Sequence, residues 1–248
     1  MLADGKQNES FLPVGDPRRN PEHSLPISLQ TTEFPLPPAM PDAVLLLRLL
    51  VAAHSADLRA ITDVIRNDVG LTVQLFRLGA AECDGRPTRT VDVGDIVVQV
   101  GLDRLKGLAA ETKLNPFQPQ NVAPQARERF WMHARLTARI AEELAGETAP
   151  ANREAAYVAG LLRRVGTLPA VLGWETPLWT SSSSGEIGYR MAKAWQLPIV
   201  LADVIHGDES ACTSQESYSL LRLVNMADER ALRWELSGTP LRSAWAWS

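Results

Sequence analysis

The stretch from Ala159 to Leu168 constrains this chain most. Val158, Leu161, Leu162 and Val165 recur at i, i+3, i+4 and i+7, so the spacing predicts a helix with one apolar face. Gly166 follows the last of them, where helices tend to stop. That apolar helix is predicted to end in two adjacent arginines, Arg163 and Arg164. Arginine is rarely fully buried unless it is paired. Any fold that packs this face must lead both guanidiniums to solvent or give one of them a polar cavity.

The rest of the chain supplies enough apolar surface for such packing. Of its 248 residues, 45% are hydrophobic and 22% charged. That suits one large globular domain or two small ones. The net charge is −4 and no Lys/Arg block stands out, which speaks against a nucleic-acid partner. The longest apolar run, Val44 to Ala53, contains Arg48 and is too short to span a bilayer. Residues 1–10 are polar and lack an apolar signal core. Cys83 and Cys212 match no metal-ligand spacing and read as free thiols of a reducing cytosol, so a cytoplasmic location is expected.

Residues 1–33 are polar and carry Pro13, Pro17, Pro21 and Pro26, a composition expected to form a tail pinned at most by Phe11, Leu12 and Val14. From Pro41 the period is helical throughout, and no stretch reads as a strand. Val44 to Val51 is apolar nearly all round, predicting a central helix. Ser55 is the expected N-cap of the next helix, with Leu58, Ile61 and Ile65 on its face. A third helix carries Leu71, Leu75 and Leu78. Asp84-Gly85-Arg86-Pro87 reads as a loop, and Gly101 as the break between two short helices. Prolines at 116, 119 and 124 mark a connection between two sub-bundles, 34–120 and 121–236. In the second, a helix over about 125–144 aligns His133, Leu136, Ile140 and Leu144. Thr180 to Gly185 reads as a flexible loop, Ile187 to Trp195 and Leu197 to His206 as helices, and Ser217 to Leu232 as the last helix. Residues 237–248 form a C-terminal tail. The expected fold class is therefore all-α.

The order of these pieces resembles the HDOD family, the HD-related output domain of bacterial signalling proteins. The resemblance spans about 34–235. Its N-terminal half rests on Leu36-Pro37-Pro38, on Ile65 to Thr72 (IRNDVGLT), on Leu75-Phe76-Arg77-Leu78, and on Val100 to Leu105. Phe130-Trp131-Met132-His133 and Ala159-Gly160-Leu161-Leu162 resemble the HD core, and Trp195-Gln196-Leu197-Pro198 and Leu223 to Asp228 its C-terminal helices. The metal-dependent HD phosphohydrolases form the wider superfamily. They hold metal with a first His, an adjacent His-Asp pair and a final Asp. The resemblance places His133 at the first His, Arg163 and Arg164 at the pair, and Asp228 at the final Asp. His206 lies near where related enzymes often carry a further His.

Arginine offers five donors and no lone pair. Two ligands are thus lost and two positive charges gained, so no catalytic metal, no cofactor and no phosphodiester hydrolysis are expected. Adjacent residues of a helix point about 100° apart, so one arginine is expected to face the old site and pair with Asp228. A phosphate-binding guanidinium fork and plain solvent exposure are the other uses of Arg163 and Arg164. His133 also fits a hydrogen-bonded core histidine, and Asp228, beside Glu229 and Arg230, a solvated helix edge. Glu142-Glu143 reads as a wet helix face, and His23 and His54 lie in or near loops. Ser181 to Ser184 lack the glycine-flanked elbow of a nucleophile, and no phosphate loop or dinucleotide fingerprint occurs. The expected function is a non-catalytic bacterial regulatory module that contacts other signalling proteins, without a nucleic-acid or membrane partner. The alternatives are a divergent metal-dependent phosphohydrolase and a sensor of a phosphorylated small ligand.

Overall fold

Aspartates cap three of the five helices described in the N-terminal half. A computed structural model of the chain describes residues 34–53, 55–114, 124–148, 153–174 and 182–237. They belong to one compact unit that runs from Glu33 onward. Helix α1 spans Pro41–Ala52, α2 Leu58–Arg66 and α3 Val69–Glu82. Asp57, not Ser55, caps α2, accepting from the amides of Arg59 and Ala60. Asp68 caps α3 through Leu71 N and also accepts from Met40 N at 2.9 Å, tying the entry strap to α3. Asp84 and Gly85 both take left-handed backbone in the loop after α3. Asp92 caps α4, Val93–Val100, and Gly101 at φ 77° turns the chain into α5, Leu102–Glu111. Of the connection expected near 114–124, residues 115–123 lie outside the described residues.

The all-round apolar α1 is not central. It buries Val44, Leu47 and Val51 and leaves Leu45 48% and Leu49 70% exposed. Its Arg48 turns inward and donates to Ala109 O at 2.8 Å and Thr112 O at 2.9 Å, closing the end of α5. Among the first five helices, the one buried nearly all round is α3, with nine buried residues of fourteen.

The second half is built on α6, Pro124–Thr148, and α7, Arg153–Leu162. Gly160 lets them approach: a Cβ there would stand 2.9 Å from Ala138 Cα and 3.0 Å from Thr137 O. Helix α7 stops at Leu162, two residues before the expected end. A 3-10 turn, Val165–Thr167, then leads into α8, Leu168–Leu172. Ser183 caps α9, Ser184–Ala194, so Ser184 and Gly185 are helical rather than part of the expected loop; Thr180 and Ser181 lie outside the described residues. Next come α10, Ile199–His206, and α11, Gln215–Leu236. The described residues contain no strand. The stretch Arg153–Leu172 has the length and apolarity of a membrane span, but 67% of its apolar window is buried inside the protein.

Candidate functional site

The early end of α7 decides the geometry. Within a helix Arg163 and Arg164 would diverge; in the turn after Leu162 both reach α11. Arg163 Nε donates to Asn225 Oδ1 at 3.2 Å, and its Nη1 donates to Ile205 O, at the end of α10, at 3.2 Å. Gly207, with φ 82°, leaves room for this guanidinium, since a Cβ there would lie 2.6 Å from Arg163 Nη2. Arg164 grips Asp228 with two parallel bonds, Nε to Oδ1 at 2.7 Å and Nη2 to Oδ2 at 2.8 Å. Asn225 and Asp228 are i and i+3 on α11, so they present one face to the turn.

His133 completes the cluster from α6. Its Nε2 lies 2.8 Å from Asp228 Oδ1 and 3.3 Å from Thr137 Oγ1, and its Nδ1 lies 2.8 Å from Glu235 Oε1. Burial works to raise the Asp228 carboxyl, but the bonds from His133 and Arg164 outweigh it and hold the group well below the usual carboxylate range. The bond to Asp228 in turn raises Arg164, whereas burial without a bonded carboxylate lowers Arg163.

The structure thus brings His133, Arg164 and Asp228 into direct contact and sets Arg163 beside them. His206 turns elsewhere: its Nε2 lies 3.4 Å from Glu186 Oε2 and its ring meets Tyr189 edge-on at 5.4 Å. Glu142, expected as a wet face, lies 3.2 Å from Arg66. Asn225 and Glu235 were not expected at the site. For Glu235 a signal exists, since it follows Asp228 by seven residues, two turns on the same face.

A divalent ion does not fit this donor set. Both Asp228 oxygens face Arg164, and both His133 nitrogens face carboxylates. A 2+ ion about 4 Å from a guanidinium would be repelled by roughly 8 kcal/mol at an effective dielectric near 20. Among the described residues no group of three or more His, Cys, Asp or Glu is placed to hold a metal. The donors of Arg163 and Arg164 named above already have protein acceptors, which an incoming phosphate would have to displace.

The profile of the HDOD domain matches residues 37–177, more than half of the chain. The chain belongs to the HDOD family. His133, Arg163 and Arg164 fall inside the matched span of this HDOD protein; Asn225, Asp228 and Glu235 lie beyond it. Among solved structures it is similar to the MmoQ response regulator of Methylococcus capsulatus str. Bath, with TM-score 0.63 and 20% identity over 84% of this chain and 90% of that one. A second structure of MmoQ, fragment 20–298, gives TM-score 0.62 and 18% identity over 84% and 88%. An HDOD domain protein with unknown function from Geobacter sulfurreducens covers 85% of this chain and 78% of its own at 23% identity, with TM-score 0.40. No curated protein matches the chain. At these identities the MmoQ likeness speaks for the fold.

Proposed function

We propose that this HDOD protein is a non-catalytic regulatory module of bacterial signal transduction, acting through contacts with other signalling proteins. The observation that carries this reading is the two-pronged grip of Arg164 on Asp228. Hydrolysis in the HD superfamily draws on a metal to activate water and clamp a phosphoryl group. Here the position that resembles the final metal-binding Asp neutralises a guanidinium instead. The arrangement joins the α7 turn, α6 and α11 through an ion-pair network, which fixes helices rather than activating water. A response regulator among the structural relatives supports the signalling part of the reading. The free cysteines fit a cytoplasmic setting.

The test is an assay of the full chain with manganese, iron and zinc against phosphomonoesters and cyclic dinucleotides. No turnover above the protein-free rate is expected. Metal-dependent turnover that disappears in Asp228→Asn would overturn the reading.

A further inference from the structure

Helices α6 and α7 each send one side chain to the Asp228 network and another into the N-terminal half. On α6, His133 joins Asp228, while the side chain of Trp131, 2% exposed, lies beside the Asp68 carboxyl. From α7, Tyr157 donates its hydroxyl to Asn67 Oδ1 at 2.6 Å, and Arg164 just beyond the helix holds Asp228. The Arg66 guanidinium lies over the Tyr157 ring, 3.7 Å from its centre, and bonds Glu154 at 2.8 Å and Glu142 at 3.2 Å. Arg66, Asn67 and Asp68 are consecutive residues at the corner between α2 and α3. One corner of the N-terminal half therefore holds side chains of both helices that frame the Asp228 network. The extensive helix pairings lie within α1–α5 or within α6–α11, which makes the corner a principal polar link between the halves.

We propose that this corner is a latch coupling the Asp228 network to the N-terminal half: loosening Asp228 frees Tyr157 from Asn67 and shifts Trp131 away from Asp68. The coupling has a mechanical basis. At Gly160 the backbones of α6 and α7 meet without room for a Cβ, so the two helices shift together. The corner also disengages as a unit. Arg66 has a side-chain exposure of 13%, and parting it from its partners strands buried charge on both sides. Asp68 is fully buried, and burial pushes its carboxyl up to about 6 despite bonds from Met40 N and Leu71 N. A two-state element of this kind is what carries a change from one site to another.

This inference rests on the reading of the Asp228 network as a structural clasp. Its test is the exchange rate of the Trp131 indole proton, followed by NMR in the full chain. The Trp195 indole, buried at the end of α9, serves as the reference for general opening. In Asp228→Asn, Trp131 exchange is expected to rise at least tenfold more than that of Trp195. Arg164→Gln, which removes charge from the other side of the same pair, gives the same pattern and serves if Asp228→Asn does not fold. Unchanged Trp131 exchange in the folded variants, or equal acceleration of both indoles, would overturn the latch. Turnover in the phosphoester assay would instead remove the clasp reading and leave the indole result standing on its own.

Discussion

Asp228 carries the site because Arg164 and His133 share one carboxylate. Its side chain is 16% exposed and that of Arg164 36%, so solvent screens the pair in part. Breaking a fully buried pair costs about 3–5 kcal/mol, and the exposure brings the expected loss for Asp228→Asn to about 2 kcal/mol, measured by urea unfolding at pH 7. The pH dependence follows from the depressed carboxyl. Its stabilisation is present above the ordinary aspartate value near 4 and is lost as the pH falls through the lower native value. The wild-type urea midpoint is therefore expected to fall below about pH 4 more steeply than that of Asp228→Asn. Equal slopes would show that the carboxylate is not held as described. Sequence alone makes one Arg–Asp pair legible, because opposite charges stand at positions that the family resemblance brings together. It does not show that both arginines reach α11, since that depends on α7 ending at Leu162. The Arg163 amide already contacts Gly160 O in an i−3 pattern, a local tightening that no residue type announces.

Helices are legible by period, and their ends are not. Ser55 and Asp57 are both competent caps, and because α2 begins at Leu58 the cap is Asp57. Asp57→Ala is expected to cost about 1 kcal/mol, while Ser55→Ala stays within about 0.5 kcal/mol, as urea midpoints of the two variants will show. The placing of α9 rests on glycine. A Cβ at Gly166 would collide with Ser184 O and stand 2.8 Å from Gly188 N, so α9 packs backbone to backbone on the 3-10 turn. Gly166→Ala is expected to lose at least about 3 kcal/mol, a fall of about 6–12 °C in melting temperature. A fall under 2 °C, about what ~0.5 kcal/mol gives, would contradict this close approach. Asp68, the α3 cap, acts with the opposite pH sign to Asp228. Its carboxyl is raised to about 6, so its contribution declines as the pH rises from about 4 to about 6. Asp68→Asn is expected to remove that decline from the urea midpoints.

Across the whole molecule, the all-α class and the family are legible because their signals are spread along the chain, from Leu36-Pro37-Pro38 to Leu223–Asp228. The role of α1 is not legible. Its apolar residues suit a central position, but Arg48 is drawn inward to α5, and Leu45 and Leu49 stay on the surface. The joint between the halves is legible only as part of the motif Ile65 to Thr72, since Arg66, Asn67 and Asp68 find partners 60 to 90 residues away in α6 and α7. These partners add a polar corner to the apolar core that the two helical halves share, and α6 and α7 carry the guanidinium–carboxylate clasp as well. The clasp is the central claim. The measurement that tests it most directly is the metal content of the purified, untagged chain by mass spectrometry, before and after incubation with manganese, iron and zinc. The account predicts a ratio near zero for each metal. A ratio of one or two per chain that is lost in His133→Ala would contradict it, because Asp228 and His133 would then be ligands rather than partners of Arg164 and Glu235.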